Sequence, residues 1–128
     1  MPKTKTKNKK PEVVVVPIDE VVSPWETIER LIGIPIVITD IEFRVRVFGK
    51  EKRIEATFTA WQVYRTETGG YDTRKLGEFL TRSMVLIEQL RLYKAYVEET
   101  GKHPLCTISE VKTKNGNRYY TLISGDMG

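Results

Sequence analysis

Ile36-Val37-Ile38-Thr39-Asp40-Ile41-Glu42-Phe43-Arg44-Val45-Arg46-Val47-Phe48 alternates apolar and polar side chains, with the period of a strand rather than a helix. Val37, Thr39, Ile41, Phe43, Val45 and Val47 fall on one side, Asp40, Glu42, Arg44 and Arg46 on the other. The pattern predicts a long half-buried strand, apolar inward and charged outward. Gly49-Lys50-Glu51-Lys52 supplies a turn, and a second strand is expected from Arg53 to Arg65. Its even positions Ile54, Ala56, Phe58 and Ala60 read as core. Its odd positions Arg53, Thr57, Thr59, Trp61 and Arg65 read as outer face.

Downstream of this pair, Thr66 to Thr73 holds Gly69-Gly70 and reads as a mobile loop, followed by a short third strand from Leu76 to Arg82. Ser83 then stands as an N-cap before Met84 to Thr100, where Leu86, Ile87, Leu90, Tyr93 and Val97 recur at helical spacing until Gly101. Leu105 to Lys114 and Arg118 to Ile123 flank Asn115-Gly116, the strongest short hairpin signal. A two-residue turn there pairs Lys112 with Tyr119 and places Lys112, Lys114 and Tyr119 on one face, opposite Val111, Tyr120 and Leu122. Upstream, Ser23-Pro24-Trp25-Glu26 has the form of a capping box, and a short helix is expected from Pro24 to Ile32, closed by Gly33.

Residues 1–12 read as a disordered basic arm: Lys3, Lys5, Lys7, Lys9 and Lys10 stand against Glu12 alone, with no apolar residue after Met1. The net charge of the whole chain is +4, so residues 13–128 are neutral, with 16 basic and 16 acidic side chains. They read as a single domain. One cysteine and one histidine exclude a disulfide scaffold and a zinc cluster. No apolar run approaches the roughly 20 residues that cross a bilayer, and Pro17, Asp19 and Glu20 interrupt Val13 to Val16 as a secretory core. A cytoplasmic protein with no membrane partner is expected. The wealth of Ile, Val, Glu, Lys and Arg, with Gln only at 62 and 89, suits a thermophile.

Three strands, a helix and a closing hairpin are the order of a five-stranded OB-type barrel, β1-β2-β3-α-β4-β5, here preceded by a short helix and the arm. Leu31-Ile32-Gly33-Ile34-Pro35-Ile36-Val37-Ile38, then Thr81-Arg82-Ser83 before Val85-Leu86-Ile87-Glu88-Gln89-Leu90, and a tyrosine-rich last strand resemble small single-stranded DNA-binding proteins of phages, archaeal viruses and plasmids. The resemblance spans roughly Thr27 to Ser124. It implies a non-enzymatic protein of replication or recombination that needs no cofactor.

Single strands are held by bases stacked on aromatic rings and by phosphates neutralised by Lys or Arg. Trp61 is the leading stacking candidate, with Arg44, Arg46, Arg53 and Arg65 around it; the alternative is that Trp61 caps a core edge. Lys112, Lys114 and Tyr119 form a second candidate contact, against a plain solvated hairpin face. Tyr71 and Arg74, beside Tyr64 at the Gly-rich loop, form a third. The lysine arm adds phosphate contacts without sequence preference. Val13 to Val16 offers a strand that pairs within the chain or across a homo-oligomer. His103 and Cys106 read as structural. Three rivals stay open: an RNA-binding OB module, a protein-interaction subunit with a neutral body, and a nuclease using the carboxylate pairs Asp19/Glu20 or Asp40/Glu42. No Gly-rich phosphate loop and no nucleophile motif is present.

Overall fold

The computed structural model describes residues 10–13, 15 and 27–127, leaving aside the Phe48 side chain. Most of the expected arm, the capping box at Ser23 and the residues Val14 and Val16 lie outside the described residues. Five strands, β1 (Ile36–Phe48), β2 (Glu51–Arg65), β3 (Tyr71–Thr81), β4 (Cys106–Lys112) and β5 (Arg118–Ser124), are interrupted by one helix, α1 (Met84–Thr100). They form one antiparallel sheet in the order β3-β2-β1-β4-β5. β3 and β5 are its two ends, so the sheet is not closed by a β3–β5 ladder among the described residues.

The core lies on one side of this sheet. Ile36, Ile38, Ala56, Phe58, Ala60, Phe79, Cys106 and Ile108 meet Leu86, Ile87, Leu90 and Tyr93 of α1, with Ile28 and Leu31 of a 3-10 turn (Ile28–Leu31). Phe58 and Phe79, paired across β2 and β3, stack with ring centres 5.7 Å apart. The helix runs as its sequence directs: Ser83 caps the first turn by accepting the Leu86 N–H, and Gly101 stops it in the left-handed region at φ 70°. Gln89 clips α1 to the sheet's edge, donating to Thr121 Oγ1 (2.8 Å) and the Leu122 carbonyl (3.3 Å) and accepting the Leu122 N–H (2.8 Å). That covers part of an edge otherwise open to pairing.

β1 and β4 are joined at one residue pair, Ile36 with Cys106. Beyond it the β4-side backbone of β1 finds other partners. The Ile38 N–H donates to the Tyr93 hydroxyl (3.0 Å), and the Ile38 carbonyl lies 3.0 Å from His103 Nδ1. Buried backbone groups must be satisfied somewhere, and here two side chains from α1 and the segment after it stand in for a strand.

Several expectations are corrected. The phase of β1 breaks at a bulge between Thr39 and Glu42, where Asp40 takes φ 55°. An extra residue inverts the alternation, so Ile36 and Ile38 are core while Val37 and Thr39 share a face with Glu42, Arg44 and Arg46. Val45, Val47 and Ile54, expected inside, are exposed at 60%, 64% and 42%, and Val45 and Ile54 border an open groove that α1 flanks without filling. The middle of β2 is buried on both faces, Glu55, Thr57 and Thr59 included. The turn between these strands is only Gly49-Lys50, so β2 begins at Glu51. The loop expected over Thr66 to Thr73 is a tight turn, Thr66 N–H to the Gly70 carbonyl at 2.9 Å, and β3 starts at Tyr71. Of the helix expected over Pro24 to Ile32, the described part is the 3-10 turn. Val13 and Val15 pair with no described strand of their own chain and are almost fully exposed, which leaves the pairing across a homo-oligomer as it was.

The last hairpin slips by one residue from its expected register. Thr113 and Asn117 close a three-residue loop, Gly116 N–H returns to the Thr113 carbonyl, and Gly116 sits at φ 82°. This is a turn followed by a left-handed glycine, the common alternative to a two-residue Asn-Gly turn. Lys112 therefore pairs with Arg118 and Val111 with Tyr119.

Candidate nucleic-acid interface

Antiparallel register decides which side chains share a face, because directly paired residues point the same way. On the side of the sheet away from the core, Val37 pairs with Trp61 and Trp61 with Lys75, Arg65 pairs with Tyr71, Arg44 with Glu55, and Arg46 with Arg53. The three-strand face thus gathers Trp61, Arg44, Arg46, Arg53, Arg65 and Tyr71, all expected from sequence, and adds Lys75. Arg82, just past β3, reaches Glu55 from the same side.

Trp61 is half-buried and held in place. Its indole N–H donates to Thr39 Oγ1 at 2.8 Å, and that hydroxyl donates to Asp40 Oδ2 at 2.9 Å. The bulge at Asp40 thus anchors the ring, since an Asp tolerates the left-handed backbone there and aims its carboxylate at the threonine. Tyr71 is 59% exposed, and the Arg65 guanidinium carbon lies 5.8 Å from its ring centre. A π-face already met by a cation is a ready stacking surface whose charge sits beside any bound phosphate.

At the other end of the face, Arg44, Arg46 and Arg82 converge on Glu55. Burial of Glu55 opposes ionisation, but the hydrogen bond from Arg46 and the charges of Arg44, Arg46 and Arg82 outweigh it and hold the carboxyl below the usual range. Between the two ends, Asp40, Glu42 and Glu78 line a recess of about 270 Å³ with Thr57 and Thr59. Among the described residues no group of three His, Cys, Asp or Glu is placed to hold a metal ion.

The remaining expected residues lie outside this three-strand group. Arg74 pairs with Gln62 on the opposite side and donates to its Oε1 at 2.6 Å. In the hairpin, Tyr119 shares a side with Val111, while Lys112 points to the other with Arg118 and Glu110, so the expected cluster of Lys112, Lys114 and Tyr119 does not form. Lys114 lies in the exposed loop itself, and Lys10 is exposed; Lys3, Lys5, Lys7 and Lys9 lie outside the described residues. Among the described residues no helix is long and apolar enough to cross a membrane.

No family model, curated protein or solved structure matches this chain. The functional reading therefore rests on the geometry of the face and on the sequence pattern.

Sequence reasoning passed over Glu55, Lys75 and Arg82. The signal for Glu55 was present: a two-residue Gly49-Lys50 turn pairs Phe48 with Glu51 and, counting back, Arg44 with Glu55. Lys75 was passed over because the third strand was expected to begin only at Leu76, whereas it begins at Tyr71.

Proposed function

We propose that this chain is an OB-type protein that binds single-stranded DNA across the polar face of β1, β2 and β3. The observation that carries the reading is the common face of Trp61, Lys75, Arg65, Tyr71, Arg44 and Arg46. Stacking rings interleaved with cations along one sheet are what a sequence-tolerant single-strand site needs. The element order supports the OB reading: three strands, a helix and two strands, with β1 between β2 and β4. Protection of single strands during replication or recombination of a small genome follows from the resemblance noted above. Carboxylates interleave with the cations, so much of the long-range positive field falls to the lysine arm.

Fluorescence anisotropy with a labelled oligonucleotide, competed by RNA of the same sequence and by duplex, tests the proposal. Salt-sensitive binding that prefers single strands is expected, and Trp61→Ala should weaken it by about 1 to 3 kcal/mol, roughly five- to 150-fold. Equal competition by RNA would assign the face to either nucleic acid. Binding that ignores Trp61 would refute the stacking role.

A second reading has its own observation. Phe43, Val45, Ile54, Met84 and Ile87 line an open, mainly apolar groove of about 490 Å³. Such a surface suits a protein-interaction subunit. Salt-resistant association with no retention on nucleic acid would favour that reading.

A further inference from the structure

Glu55 lies in β2 with none of its surface exposed. A carboxylate so buried is costly unless paired, and one guanidinium suffices to pair it. Three surround it instead. Arg44 Nε and Arg46 Nε lie 2.7 and 2.9 Å from Oε1, and Arg82 Nε lies 3.2 Å from Oε2. Only the Arg46 contact has hydrogen-bond geometry, so Oε2 is held by charge without a hydrogen bond. Arg46 and Arg82 by themselves already outnumber the one carboxylate they share.

The mode of contact matters as much as the count. Arg46 and Arg82 reach Glu55 through Nε, the nitrogen nearest the stem, and no described protein group bonds their terminal Nη atoms. Both side chains stay about half exposed, at 51% and 53%. A guanidinium held at Nε keeps its outer N–H donors for a second anion, and its planar fork matches the oxygens of a phosphate. Glu55 is six positions from Trp61 on the same face, about 20 Å at the rise of a strand. The cation cluster and the stacking ring therefore lie at two ends of one stripe.

We infer that Arg46 and Arg82 form a phosphate-binding site for the backbone of a bound single strand, with Glu55 as the residue that positions both. This rests on the single-strand reading above. Arg44 adds the third charge. The electrostatic sign gives the inference its edge: replacing Glu55 by Gln raises the positive charge, which by attraction alone strengthens binding, whereas loss of aim weakens it.

The test records arginine Nε–H resonances of the full chain during titration with tripolyphosphate and, separately, with an oligothymidylate, beside anisotropy at several salt concentrations. Shifts at Arg46 and Arg82 with both probes are expected. Glu55→Gln should abolish them and lower oligothymidylate affinity despite the added charge, with amide spectra reporting that the fold is kept. Arg46→Gln with Arg82→Gln, changes to half-exposed side chains that keep the test open should Glu55→Gln misfold, should flatten the salt slope by about 1.4, at about 0.7 per single-strand phosphate contact. Arg91→Gln, which removes a charge on α1 paired with Glu88, should leave the slope unchanged. Oligothymidylate bound in a Trp61-dependent way with those resonances and that slope unmoved would overturn the phosphate site and leave the single-strand reading standing. Shifts with tripolyphosphate but no oligonucleotide binding would overturn the single strand as its ligand. Silence with both probes would remove the site altogether.

Discussion

At the scale of single residues, Tyr93 and Cys106 show how few polar atoms the core admits and how each is satisfied. The Tyr93 hydroxyl accepts the Ile38 N–H at 3.0 Å and donates to the Pro104 carbonyl at 2.8 Å. Tyr93→Phe leaves both groups without that partner, and urea unfolding should show a loss of about 1 to 3 kcal/mol. Burial pushes the Cys106 thiol up to about 12 from its ordinary value of 9.0. Burial likewise raises the Tyr93 phenol, partly opposed by the hydrogen bond from Ile38. A folded-state value raised above the unfolded one contributes stability that is complete below the unfolded value and is lost as pH rises through the folded one. The unfolding free energy should therefore fall between about pH 9 and about pH 12, and Cys106→Ala should lessen that slope. The same thiol should react with a disulfide reagent at about pH 8 only as fast as the protein unfolds; immediate labelling of the native chain would contradict its burial.

At the scale of elements, the two devices that shape the sheet are a bulge and a clip. The Asp40 bulge lets one strand show Ile36 and Ile38 to the core and, further along, Arg44 and Arg46 to the same polar face as Trp61. Without the extra residue, a strand keeping Ile36 and Ile38 inside would carry Arg44 and Arg46 inside too. Gln89 is the clip, its amide engaging both backbone groups of Leu122 as a neighbouring strand would. Gln89→Ala is expected to cost about 1 to 3 kcal/mol and to speed hydrogen exchange at the Leu122 amide selectively. Unchanged exchange there would mean that α1 does not guard the edge.

At the scale of the whole molecule, charge is divided between the first twelve residues and a patterned face. Residues 1–12 hold five lysines and one glutamate, so their removal takes the net charge from +4 to zero. The truncated chain should bind single strands more weakly and with a shallower salt slope, yet keep its dependence on Trp61. Binding lost with residues 1–12 but untouched by Trp61→Ala would locate it in those residues alone. The sequence by itself determined α1 to the residue, because Ser83, Gly101 and the apolar spacing between them are local signals whose geometry needs no partner. It also determined the existence of all five strands and the gathering of Trp61, Arg44, Arg46, Arg53 and Arg65, since alternation survives wherever register is kept. Only the tertiary structure decided the bulge, the one-residue slip of the Asn115-Gly116 hairpin, the side taken by Arg74 and Tyr119, and the buried Glu55 beneath its arginines. Each depends on pairing between distant residues, and because strand side chains alternate, a single residue gained or lost in a turn or bulge sends every later side chain to the other face.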